Sequence, residues 1–172
     1  AITHFRTAIE VDPRNANAHG ALALSLAIQG KFAEAIPNYR KAVELDPKRA
    51  DTHFLLGYAL ARRGELDEAI VHFRTSLKLD PKSADAHEEL GAALAEKGKS
   101  KEAIPHFRKV IELAPNRPGA HFNLGNALND NGDFGEAITV LRRAVERDPK
   151  HAGAHEVLGN ALTSLKKQDD AI

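Results

Sequence analysis

The chain has 172 residues, no cysteine, and 24 basic residues balanced by 24 acidic ones. Disulfides and thiolate chemistry are thereby excluded, and no bulk field favours nucleic acid or an anionic membrane surface. No apolar run approaches the roughly 18 residues that span a bilayer, and no signal peptide is visible.

A fixed period organises the whole length. Pro13, Pro47, Pro81, Pro115 and Pro149 stand 34 residues apart. With that proline as position 32, full units fall at 16–49, 50–83, 84–117 and 118–151. The second half of a unit, 1–15, precedes them, and a partial unit, 152–172, follows. The chain opens inside a unit and contains no Met, so we expect it to be a piece of a longer protein. Its compartment cannot be read.

In chain order, each unit reads as helix, glycine stop, helix and Asp-Pro terminator. In the first helix, position 4 is His19, His53, His87, His121 or His155. Position 7 is Leu22, Leu56, Leu90, Leu124 or Leu158, and position 11 is Leu26, Leu60, Leu94, Leu128 or Leu162. A 4-7-11 spacing is one face of a 3.6-residue helix. Position 8 is small: Ala23, then Gly57, Gly91, Gly125 and Gly159. A mid-helix glycine costs about 0.5–1 kcal/mol relative to alanine, so its recurrence points to close approach of a neighbouring helix. Gly30, Gly64, Gly98 and Gly132 stop the helix; the last copy has Lys166 there and lacks this glycine stop. The second helix carries an acid in its first turn (Glu34, Glu68, Glu102, Glu136 or Asp170), which suits the helix dipole. Its buried stripe in the second full unit is Ala69, Ile70, Phe73, Ser76 and Leu77. The partial unit breaks off at Ala171-Ile172 as its second helix begins. One helix pair cannot bury its apolar face alone, whereas stacked pairs can. The expected fold is an all-α solenoid of stacked antiparallel helix pairs, forming a single array over 1–172, with first helices on the concave face.

These residues resemble the tetratricopeptide repeat. That family has Leu at position 7, Gly or Ala at 8, Ala at 20, an aromatic at 24, a small residue at 27 and Pro at 32. Leu56, Gly57, Ala69, Phe73, Ser76 and Pro81 match, as do Leu90, Gly91, Ala103, Phe107 and Pro115. His stands for the frequent Trp at position 4, Leu for Tyr at 11, Leu141 for the aromatic at 24, and Val110 is bulky for 27. The resemblance implies a right-handed superhelix and an interaction module without catalysis or cofactor.

The histidines invite a metal reading, but neighbouring helices lie about 8–10 Å apart and a zinc–nitrogen bond is about 2.0–2.1 Å. Equivalent histidines of successive units cannot meet at one ion; each reads as packing, its ring bonded to backbone or water. His4, His72 and His106 recur on the second helix and read as surface. No GxxxxGK[ST], GxGxxG, HExxH or GxSxG occurs. Arg6, Arg40, Arg108 and Arg142 each have a Glu four residues on and read as exposed i,i+4 pairs.

Function therefore falls to the varying concave positions. The first full unit offers Asn17, Gly20, Ala21, Leu24 and Ile28. The candidate peptide-binding residues are Phe54, Tyr58, Arg62, Glu89, Phe122, Asn123, Asn126, Asp130 and Asn160. Amides along a groove can pair with an extended backbone, and exposed aromatics in a concavity need a reason. The family's carboxylate clamp is not matched, since no Lys or Arg stands at positions 2 or 6 and Phe122 and Glu156 replace its Lys at 5. The expected function is a non-enzymatic interaction scaffold with a protein or peptide partner: a basic segment flanked by apolar residues. Neither nucleic acid nor membrane is expected. Two rivals are a partner-recruiting arm of a larger enzyme, such as a glycosyltransferase or kinase, and head-to-tail self-association through the ends.

Overall fold

The computed structural model describes residues 1–170. Among them there are ten helices and no strand, in two compact units, residues 1–93 and residues from Leu94 on.

The first unit holds α1 (Ile2–Val11), α2 (Ala16–Ile28), α3 (Phe32–Leu45), α4 (Ala50–Ala61), α5 (Leu66–Leu79) and most of α6 (Ala84–Glu96). Each of α1 to α4 packs on the helix that follows it, and the two first helices α2 and α4 touch. Gly30 and Gly64 end α2 and α4 at φ +74 and +76, the left-handed region where a Cβ would be strained. The expected stripe is the core: Leu22, Leu26, Leu56, Leu60, Tyr39 and Phe73 are all buried. Position 8 earns its glycine here, because a Cβ on Gly57 would lie 2.9 Å from the Phe73 ring.

The second unit holds α7 (Ser100–Leu113), α8 (Ala120–Asn131), α9 (Phe134–Arg147) and α10 (Ala152–Asp169). Here α7 packs on α8, α8 on α9 and α9 on α10, and the first helices α8 and α10 touch. Gly125 repeats the close approach: a Cβ would stand 2.5 Å from Leu141 Cγ. Leu141 thus fills the aromatic position, and Val110 is accommodated with 1 % exposure. Two departures mark this unit. At Lys166, where the glycine stop is missing, α10 runs on to Asp169. The expected second helix at Ala171-Ile172 lies outside the described residues. And α8 starts at the third residue of its unit, whereas α2, α4, α6 and α10 start at the first.

The position-4 histidines bond as expected, to one recurring partner. His19, His53, His87 and His155 Nε2 contact the carbonyls of Pro13, Pro47, Pro81 and Pro149 at 3.1, 3.1, 3.2 and 3.0 Å. Two sequence expectations need correction. His72 is half-buried, its Nδ1 at 3.1 Å from His53 Nδ1 with the rings stacked. Burial, then the neighbouring His53, holds it below the usual histidine range. Arg40 and Arg108 do not pair within their own helices. They reach Glu68 and Glu136 on the next helix pair, both at 2.8 Å. Glu44 and Glu112 are taken by Lys41 and Lys109, one residue nearer along the helix.

Candidate functional site

In the first unit a trough lies between α2 and α4. Both helices turn small or apolar residues toward it, and it forms two hollows of ≈ 200 and ≈ 240 Å³ that share Leu24, Tyr39 and Leu55. Leu24 and Ile28 are 41 % and 78 % exposed, unusual for large aliphatic groups side by side on one helix. Phe32 and Tyr58 close one end in an edge-to-face contact, centroids 6.4 Å apart, with the Arg62 guanidinium 5.8 Å from the Phe32 ring. The other end is polar. Arg49 holds Asn17 Oδ1 and the Asp51 carboxylate, the latter at 3.0 Å. Burial works to raise Asp51, but Arg49 and the Thr52 N–H outweigh it and keep its pKa lowered.

At the floor stands Tyr39. It is 1 % exposed and its hydroxyl has no hydrogen-bond partner among the described residues. Burial pushes its pKa up to about 12, so it stays a neutral phenol. A buried hydroxyl without a partner costs about 1–3 kcal/mol, which a ligand acceptor reaching the floor would relieve.

Phe54 faces a neighbouring hollow of ≈ 170 Å³ together with Asp51, Asp80 and Asp85. Its ring stacks on Tyr58 at 6.4 Å and tilts against Phe73 at 6.0 Å. A cation seated there would meet both an aromatic face and carboxylates.

The candidate residues of the sequence thus divide. Phe54, Tyr58 and Arg62 are brought together along α4, and Glu89 lies half-buried on α6. In the second unit Phe122 turns its ring to His151, centroids 4.5 Å apart. Asn123, Asn126 and Asp130 follow it on α8, and Asn160 lies exposed on α10. Sequence reasoning missed Phe32, Tyr39 and His121. Tyr39 carried a signal: it supplies a hydroxyl at the position where Phe73, Phe107 and Leu141 have none. Among the described residues, no three or more His, Cys, Asp or Glu side chains gather as a metal would require, and no helix is long and apolar enough to cross a membrane.

Family models described as tetratricopeptide repeat match residues 4–36, 54–118 and 94–161, and one described as TPR repeat matches 23–64. No curated protein matches. Among solved structures, the chain is similar to YrrB, a TPR protein with an unusual peptide-binding site, at 28% identity and a TM-score of 0.84 over 99% of this chain and 93% of that one. It is similar to a MamA protein at 28% identity and a TM-score of 0.82, covering 88% and 83% of the two chains. MamA 41-end from Desulfovibrio magneticus RS-1 is 25% identical, with a TM-score of 0.81 over 90% and 86%. The fold class is the all-α solenoid these structures share.

Proposed function

The chain belongs to the tetratricopeptide repeat family, and from that premise we propose that it is a non-catalytic scaffold holding a peptide segment along the exposed face of its first helices. The family's fold is typically an interaction module, and protein or peptide partners suit it. The observation that carries the reading is the trough of the first unit, where Leu24 and Ile28 are exposed beside Leu55, Tyr58 and an unpartnered Tyr39 hydroxyl. Apolar side chains of the segment fill the trough, and a polar group meets the phenol. A basic residue of the same segment fits the acidic hollow at Phe54, with Glu89 nearby in sequence on α6. In the second unit Asn123, Asn126, Asp130 and Asn160 offer donors and acceptors for a backbone. The site that YrrB is said to possess agrees with this class of ligand.

Peptides selected on the immobilised chain provide the test. In titration calorimetry the Leu24→Asp/Ile28→Asp double variant binds them more than tenfold more weakly, about 1.4 kcal/mol or more, with unchanged helical circular dichroism. Equal affinity in variant and parent removes the trough from the binding surface.

A further inference from the structure

The late start of α8 leaves a gap that has a chemistry of its own. Pro118 and Gly119, the latter at φ +75, occupy the two positions where the other first helices already turn. Proline tolerates a helix start, but a left-handed residue directly after it prevents the turn. In the first unit the corresponding turn is intact and fastened, since Ser76 Oγ donates to Ala50 O at 2.9 Å. In the second unit the residue equivalent to Ser76 is Ala144, and it lines an open cavity of ≈ 620 Å³. Small-molecule sites span about 300–1,000 Å³.

Two groups in the cavity wall are out of their usual roles. His121 is 7 % exposed and lines the cavity. The proline carbonyl that its counterparts contact is taken instead by Arg147, whose Nη1 donates to Pro115 O at 2.8 Å. That uses one of five guanidinium donors and sets a planar cation in the wall. Burial, then Arg147 and Arg143, hold His121 below the usual histidine range, a sign of positive potential around the ring. Arg117 adds a second guanidinium to the lining, against a single carboxylate, Asp148, whose Oδ1 already accepts from Lys150 N at 3.1 Å. Opposite stand Phe122 and His151, ring against ring.

We propose that this cavity binds a carboxylate borne on a flat apolar body, with Arg147 and His121 donating to the carboxylate and the body lying against Phe122 and His151. Guanidinium and carboxylate match in planar, charge-assisted pairs, and the neutral imidazole donates to the carboxylate in place of the proline carbonyl that Arg147 holds. The carboxylate could belong to a free small acid or to the end of a peptide. This site is independent of the trough in the first unit.

The test is calorimetric titration of the full chain in about 0.1 M chloride with phenylacetate and phenylacetamide, and with N-acetyl-Ala-Phe as free acid and as amide. At least one acid binds, and its amide binds about tenfold more weakly or worse. Binding of phenylacetate assigns the site to free acids; binding of the dipeptide acid alone assigns it to peptide ends. Arg147→Gln loses about tenfold in affinity for the acid, and Phe122→Ala also weakens it, both with the parent's circular dichroism. The ring of His121, followed by nuclear magnetic resonance in the unsubstituted chain, titrates at higher pH once the acid is bound, because an adjacent anion favours the imidazolium. That readout stands even where Arg147→Gln fails to fold. Equal binding of acid and amide, no binding of either acid at millimolar concentration, or an unmoved His121 titration overturns the proposal.

Discussion

The starts of α4 and α8 show how one repeat yields two kinds of surface. In α4 the helix begins at Ala50, the first residue of its unit, and Ser76 fastens that turn. Its side chains then project in register, and with α2 they form a shallow apolar trough. In α8 the sequence Pro118-Gly119 replaces the first turn, and removal of two helical residues leaves a deep hollow ringed by arginine and histidine. The buried stripes beneath are equivalent: Leu56 and Leu60 in one, Leu124 and Leu128 in the other. A repeat can therefore change the surface it presents while keeping its buried leucine stripe, through the two residues before its first helix and the exchange of Ser76 for Ala144.

Five substitutions probe this comparison. Gly125→Ala has the largest expected effect. Its Cβ would stand 2.5 Å from Leu141 Cγ, on a side chain with 0 % exposure, so the core must yield. Overpacking of this kind costs about 1–3 kcal/mol, seen as a lower thermal midpoint. Gly20→Ala is the contrast: its Cβ would meet Ala42 Cβ at 4.0 Å, ordinary contact, and stability rises by about 0.5–1 kcal/mol. A Gly125→Ala chain as stable as its parent would show that the shared core is looser than drawn. Next, Gly119→Ala strains a left-handed residue by about 1–2 kcal/mol and lowers the midpoint in chemical denaturation. Adding Pro118→Ala lets the missing turn form, so a double-mutant cycle shows recovery rather than additivity; strictly additive losses would mean that α8 cannot be extended. The smallest effect is Tyr39→Phe. Removing a buried hydroxyl that lacks a partner stabilises the peptide-free chain by about 1 kcal/mol, the low end of its desolvation cost because the packing around the lost oxygen goes with it, read from the same denaturation curves. A loss of stability would show the hydroxyl to be satisfied, and the trough floor less receptive than proposed.

Much of the helical framework was legible because it rests on what every unit repeats. The proline period, the 4-7-11 stripe and the position-8 glycines follow from one packing requirement, which Gly57 and Gly125 meet against Phe73 and Leu141; in the last copy it is not met among the described residues, since a Cβ on Gly159 would meet nothing within 4 Å and Leu162 is exposed. The candidate sites were legible only in part. Phe54, Tyr58 and Arg62 could be placed on α4 by helical spacing, but Phe32 belongs to the following helix, and only the folded turn brings it to Tyr58. Residues at core positions were read as core alone. Tyr39 and His121 do fill the core, yet Tyr39 also carries an unpartnered hydroxyl and His121 also lines a cavity, which becomes visible only when their neighbours are known. Pro118-Gly119 was in plain view as a departure from Ala at the first position. Its effect needed the helix start. The arginine pairing went astray because spacing along one helix cannot compete with a reach to the next, as Arg40 and Glu68 show.

The exchange of His121 for Arg147 on the Pro115 carbonyl also bears on the order of assembly. The histidine links join residues 6 apart, whereas Arg147 and Pro115 are 32 apart. Closure entropy grows as 1.5RT ln n, so the longer link costs about 1.5 kcal/mol more to close. The histidine links can form as soon as their own loop has condensed. The arginine link must wait until α9 has docked along its whole length, so the open mouth of the cavity is set only when the helix behind it is already in place.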